Sequence, residues 1–390
     1  MNAASDVHPK GDDAPPPSRK NRLGSLDVFR GATIAAMILV NDAGDWDKTY
    51  RPLLHAEWHG WTPTDLIFPF FLFIVGVAIP YAFAGRLARS GGDRGPLHWQ
   101  IVRRTVILFA LGLFLAWFPF FTVDWPTARI PGVLQRIAVV YCVAALAWLH
   151  LGPRSRAVLT LALLAAYWAA MMLVPVPGHG AGDLSPNGNL AGWIDHVVLG
   201  HHTWKKAPGP GDPEGILSTV PAIATALIGL FVGDWLRSPR HQQVKLKGLL
   251  LAGCAATIAG LALAPWFPIN KNLWTSTYVL FTAGVALLLL AATYYVVDMK
   301  RRDGWAQPFA VFGTNAIAAF FGSTLMAKIT YLIHLRAGGE TVTLQAWLYR
   351  HLFASWLPEY VSSLAWALVY VALWWGLTTV LYRRRIFIKI

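Results

Sequence analysis

The chain has 390 residues, 55% of them hydrophobic and only 14% charged, with 19 tryptophans. Those proportions exclude an ordinary soluble domain, because apolar runs of about 18 or more residues recur and each can cross ~30 Å of hydrocarbon. The net charge of +13 does not call for nucleic acid as a partner, since lysine and arginine gather in the cytoplasmic loops of membrane proteins.

Residues 1–22, containing "DDAPPPSRK", are polar and proline-rich and lack the apolar core of a signal peptide. They read as a disordered cytoplasmic tail. Residues 23–390 read as one all-α, polytopic transmembrane domain surrounded by lipid. Ten spans are predicted, at about 26–44, 62–84, 101–120, 131–150, 157–175, 215–236, 248–267, 275–297, 306–327 and 359–382. With both termini on one side, the short loops on that side and the two ends hold 22 of the 33 lysines and arginines, and the opposite segments hold 9. That bias makes the termini cytoplasmic. Cys142 and Cys254 fall inside spans and read as small packing residues rather than a disulfide.

In chain order, the first polar pair inside a span is Asp27 and Arg30, three residues apart and so on one helix face. They form an interfacial ion pair, or Arg30 helps to hold a phosphate-bearing ligand. "VND" ends the first span with Asn41, which either caps the helix or offers its amide to a reacting group. The next stretch, "LLHAEWHGWTPTDLIFPFFLFIVG", places His55, Glu57 and His59 on the outer side. Thr62 or Thr64 can cap the second helix, with Asp65 in its first turn, where the helix dipole favours a carboxylate.

"PGVLQRIAVVY" buries Arg136 one turn inside the fourth span, where it must pair or face water. Asp65 and Glu214 are its candidate partners. "GDPEGILST" reads as a helix start with Asp212 as N-cap and Glu214 in the first turn. "FPINKNLWT" puts Asn270 and Lys271 in a tight outer turn. The polar residues therefore share one side, as a cavity opening outward requires. Most histidines lie there too, but none has metal-ligand spacing with companions, so no metal is expected.

Seven ordered stretches, "RLGSLDVFRG", "FPFFLFIVGVAI", "GVLQRIAVVY", "AGWIDHVVLG", "DPEGILST", "INKNLW" and "LYRRRIFIKI", resemble heparan-α-glucosaminide N-acetyltransferase and its NagX-like bacterial relatives. The resemblance covers residues 22–390. It implies a multi-pass enzyme that moves acetyl from cytoplasmic acetyl-CoA to the amine of glucosamine or a related amino sugar across the membrane. The family's catalytic histidine matches His55 in "HAEWHG", and its essential asparagine matches Asn41. A long acidic stretch, "DAGDWDKTYRPLL", separates the two here.

On that reading, His55 acts as base or acetyl-accepting nucleophile and Asn41 donates to the oxyanion. Acetyl-CoA places its phosphates among Arg30, Arg86, Arg103, Arg104 and Arg383, with pantetheine threaded through the bundle. Asp65, Arg136, Asp212, Glu214, Asn270 and Lys271 hold the sugar, and Trp58 or Trp61 stacks on it. The expected location is a bacterial inner membrane, with a homodimer left open. A polysaccharide O-acyltransferase and an ion-coupled amino-sugar transporter are the alternatives.

Overall fold

A computed structural model describes residues 23–302, 304–337 and 339–388. The tail expected to be disordered lies outside those residues. Thirteen α-helices account for almost all the regular structure: α1 (Gly24–Asn41), α2 (Ile67–Arg89), α3 (Gly95–Trp117), α4 (Val133–His150), α5 (Pro153–Leu173), α6 (Leu190–Leu199), α7 (Ile216–Arg237), α8 (Gln242–Leu263), α9 (Ser276–Thr293), α10 (Gln307–Thr314), α11 (Ala316–Leu332), α12 (Leu344–Tyr349) and α13 (Glu359–Arg383). A two-stranded antiparallel hairpin, β1 (His334–Ala337) and β2 (Glu340–Thr343), joins α11 to α12.

Among the described residues, eight helices are long and apolar enough to cross a membrane, and a ninth span arises if α10 and α11, bent by 72°, count as one. The remaining expected span falls on α1, which is long enough at 18 residues but carries Asp27 and Arg30 and is not among those helices. The spans form two layers. More than half of the apolar stretch of α2, α4, α7 and α9 is buried, whereas α3, α5, α8 and α13 bury less than a third and present apolar faces outward. Cys254 sits exposed on α8, a correction to its expected burial. An outer-layer helix needs no protein neighbour for an apolar residue that lipid can solvate.

Small residues let the inner layer close up. On α7, Gly229 and Gly233 lie four apart and face the backbone carbonyls of Phe73 and Val77 on α2. A side chain at either would collide with α2, so the helices approach at backbone contact, the mode by which bundles pack in lipid. Gly31 on α1 and Gly313 on α10 do the same for that pair. Proline opens α3, α5 and α10 within the first two positions, where its missing N–H costs nothing.

The up-and-down course puts residues 42–62, 118–132, 174–215 and 264–275 together at one end, here the His55 end. The loops after α2, α4 and α7 and the C-terminal residues meet at the other, the arginine end.

Candidate active site

His55 belongs to an irregular loop pinned to the start of α2. Its Nδ1 lies 2.6 Å from Oδ1 of Asp65. Asp65 is 1% exposed, and its Oδ2 accepts the backbone N–H groups of Ala56 at 3.0 Å and Thr62 at 2.9 Å. The backbone carbonyl of Asp65 accepts the Tyr278 hydroxyl at 2.5 Å. A carboxylate with its lone pairs so occupied can only accept, so His55 carries its proton on Nδ1 and presents a lone pair on Nε2. The predicted helix-start role of Asp65 is present, since Thr62 and Asp65 form a capping box. The same carboxylate also orients the imidazole.

On the far side of the ring, Nζ of Lys271 stands 3.2 Å from His55 Nε2. Lys271 comes from the turn between α8 and α9, and the local sequence explains its placement. Asn270 is buried and its Oδ1 accepts the Leu273 N–H at 2.9 Å. Thr275 accepts from the Asn270 N–H and donates to the Pro268 carbonyl. Trp274, fully buried, takes φ of 54°, a left-handed conformation that a bulky residue adopts only when its surroundings compel it. Its indole donates to Thr225 and its face lies 5.0 Å from the Arg136 guanidinium. Burial pulls the Lys271 ammonium below the usual lysine range, while Glu214 and Asp65 oppose that shift.

The carboxylates expected to hold a sugar are engaged in a second network. Arg129 makes a two-pronged contact with Asp212, Nε to Oδ2 at 2.7 Å and Nη2 to Oδ1 at 2.6 Å, and its Nη2 also reaches Glu214 at 2.6 Å. Burial lowers the Arg129 pKa, but the two carboxylates outweigh it and hold the charge. Burial likewise pushes the Glu214 carboxyl up, and Arg129, Lys271 and Arg136 overcome it, leaving Glu214 below the usual range. Asp195 on α6 accepts the N–H groups of Asp212 at 3.0 Å and Ile216 at 2.8 Å, so it ties the "DPEG" turn to "AGWIDHVVLG". Burial nevertheless raises its pKa.

Two expectations are corrected here. Asp212 does not cap α7, whose N-cap is Gly215; its carboxylate is drawn instead to Arg129 and to the Trp204 N–H. Arg136 is ion-paired with neither Asp65 nor Glu214. It is 2% exposed and donates to the Gly215 carbonyl and the Ser218 hydroxyl, because the α7 start is nearer than either carboxylate. Arg129 and Asp195 were not singled out from sequence. The only signal for Arg129 was that two buried carboxylates need a cation.

Between α1, α2, α3, α4 and the α10–α11 bend runs a cavity of about 340 Å³. Its lining on α2 extends from Phe71 to Arg86, about 22 Å at 1.5 Å per residue. The walls are apolar through Ile74, Ala78, Ile79 and Phe83, and the arginine end is polar, with Arg30, Arg86, Gln100 and Arg104. Arg86 donates to Gln100. Arg30 bonds to Asp27 at 3.0 Å and to the Gly313 carbonyl at 3.3 Å. The Arg104 guanidinium lies 4.6 Å from the Tyr141 ring centre. Among the described residues, neither Arg104 Nε nor the Tyr141 hydroxyl has a hydrogen-bond partner, although both atoms are buried. Unsatisfied donors of this kind at the head of a long apolar shaft suit an anionic group carrying an extended tail.

The remaining expected site residues are spread more widely. Arg103 and Arg383 are exposed at the arginine end and line no part of the shaft. Asn41 is exposed at the end of α1, where it lines a different cavity, and is not a hydrogen-bond partner of His55. The Trp58 indole donates to the Leu184 carbonyl at 2.8 Å. His59 Nδ1 lies 3.3 Å from the Asn270 amide, and burial lowers its pKa.

The chain is 29% identical over 448 residues to mouse heparan-alpha-glucosaminide N-acetyltransferase, covering 100% of this chain and 64% of the mouse protein. Its resemblance to that enzyme runs the whole length of the chain. The human enzyme is also 29% identical, over 424 residues that cover 95% of this chain and 60% of its own length. The chain thus spans about three-fifths of the length of these relatives. Residues 22–174 match a family described as a domain of unknown function, DUF5009; that segment holds Asn41, His55, Asp65, Arg104 and Arg136.

Proposed function

We propose that the protein transfers an acetyl group from acetyl-CoA to the amine of glucosamine or a related amino sugar. The carrying observation is His55, fixed by Asp65 at one ring nitrogen and met by Lys271 at the other, at the opposite end of the bundle from the Arg30–Arg86–Arg104 mouth. The names of the mouse and human relatives support the reaction class.

Acetyl-CoA is made in the cytoplasm, so the arginine end faces it and both termini lie on that side, as the positive-inside bias requires. In a bacterium this is the inner membrane, with His55 facing the periplasm. The residues present fit the donor: guanidinium groups and the Tyr141 hydroxyl for its phosphates, and an apolar shaft for pantetheine. About 22 Å of shaft brings the thioester toward the outer ends of α2 and α4.

There the sugar nitrogen attacks the thioester carbonyl and gives up its proton to His55 Nε2. The new C–N bond forms as the C–S bond breaks, and the proton passes from the imidazolium to the departing sulfur. Asp65 stabilises the imidazolium, in the role that an orienting carboxylate plays beside any catalytic histidine. Lys271 balances the oxyanion, because displacement of its N–H from Nε2 by the substrate leaves it beside the reacting carbon. Asn41 is the second candidate donor.

The test is transfer of radiolabelled acetyl from acetyl-CoA to glucosamine by purified protein, with His55→Ala beside it. N-acetylglucosamine from the parent alone is the expected result. Undiminished product from His55→Ala removes the mechanism. An ester product would shift the reading to an O-acyltransferase, and flux of amino sugar into vesicles without acetyl-CoA would shift it to a transporter.

A further inference from the structure

A second large cavity, about 430 Å³, opens at the His55 end and has no part in the arrangement above apart from Asn41. It is walled by Asn41 and Asp42 at the end of α1, Trp46, Lys328 and Tyr331 on α11, and Trp366 and Tyr370 on α13. Its floor adjoins the top of the shaft. Val133 and Phe320 line this cavity, whereas their neighbours Leu134, next in the chain, and Ile317, one turn earlier on α11, line the shaft.

We propose that this cavity seats the acceptor sugar and that the Asp42 carboxylate binds its ammonium; the proposal rests on the acetyltransferase reading for the identity of the ligand. Three observations carry it. The first is the carboxylate itself. At this end Asp65, Asp195, Asp212 and Glu214 all accept hydrogen bonds or ion pairs, but among the described residues Asp42 has neither. A half-buried carboxylate without a partner is costly, and a cationic ligand removes that cost.

The second is the wall. Four aromatic rings around one carboxylate attract an ammonium through their faces and offer flat apolar surfaces to the C–H face of a pyranose. Lys328 on the same wall supplies donors for ring hydroxyls, and no ion pair within 4 Å joins Lys328 to Asp42 among the described residues. The third is position. A ligand here stands where the shaft ends, so Asp42 docks the sugar as its ammonium beside the path of the thioester, and the amine leaves the carboxylate and gives up that proton before it attacks at His55. The volume suits one or two sugar rings, within the range of small-molecule sites.

The experiment measures glucosamine binding by tryptophan fluorescence without acetyl-CoA, and then the KM for glucosamine in the transfer assay. Asp42→Asn should weaken binding and raise KM roughly thirtyfold or more, the loss expected when one partner of a desolvated charge pair is removed. Acetyl-CoA affinity should stay within about twofold. Tyr331→Leu, at a side chain already 44% exposed and so little involved in folding, should weaken glucosamine binding in the same sense. Unchanged binding in Asp42→Asn overturns the proposal, as does a parent that binds no glucosamine. A parent that binds glucosamine through Asp42 but transfers no acetyl retires the acetyltransferase reading and leaves the sugar site standing.

Discussion

The two ends of the bundle solve opposite problems with the same kinds of residue. At the His55 end, Asp65, Asp195 and Asp212 are each held by backbone N–H groups or by Arg129, so these three charges are fixed before any ligand arrives, and among the described residues Asp42 and the Nε and Nη1 of Arg136 stand open there. At the arginine end, Arg104 and Tyr141 meet ring to guanidinium, and among the described residues neither Arg104 Nε nor the Tyr141 hydroxyl has a hydrogen-bond partner. The difference teaches where the protein invests in rigidity. Saturated networks hold reacting groups in register, whereas open donors wait for a ligand to complete them.

The largest effect is expected at His55. His55→Ala should lower acetyl transfer by roughly 10²–10⁴-fold, the usual worth of a positioned general base, with the bundle still folded; a smaller loss would mean that the fixed end is not where the reaction occurs. Asp65→Asn should cost as much as about 10⁴-fold, because an amide facing His55 Nδ1 can stabilise the wrong tautomer. The pH–rate profile of that variant checks it, since a merely structural role would lower the rate without moving the profile.

Removing the cation from the second network tests stability rather than rate. Arg129→Met leaves Asp212 and Glu214 without their shared counter-ion, and about 3–5 kcal/mol of stability should go with it, read as a fall in melting temperature in detergent. The same network has a pH signature. Folded Glu214 sits below the 4.5 of a free glutamate, so its contribution is complete above that value and is lost as the pH falls through the folded pKa. Glu214→Gln should flatten the acid limb of the stability curve.

The smallest effect is expected at the open end. Arg104→Gln should raise the KM for acetyl-CoA by about tenfold, equivalent to about 1.4 kcal/mol, and leave melting unchanged, because the residue meets no carboxylate among the described residues. A large loss of stability instead would show that Arg104 belongs to the structure and that the ends do not differ as described.

The sequence by itself determined the helices, because hydropathy and length are local properties that a run of residues carries wherever it lies. It also determined that polar residues concentrate at one end, it offered Arg30, Arg86 and Arg104 from charge and side of the membrane, and its resemblance to a known family pointed to His55. Only the tertiary structure decided which groups meet. Asp65 reaches His55 across 10 residues and Lys271 across 216, separations at which no periodicity relates one side chain to another. For the same reason Arg129, rather than Arg136, holds Asp212 and Glu214: both arginines stand near the start of α4, but only packing against the loop before α7 determines which guanidinium the carboxylates can reach.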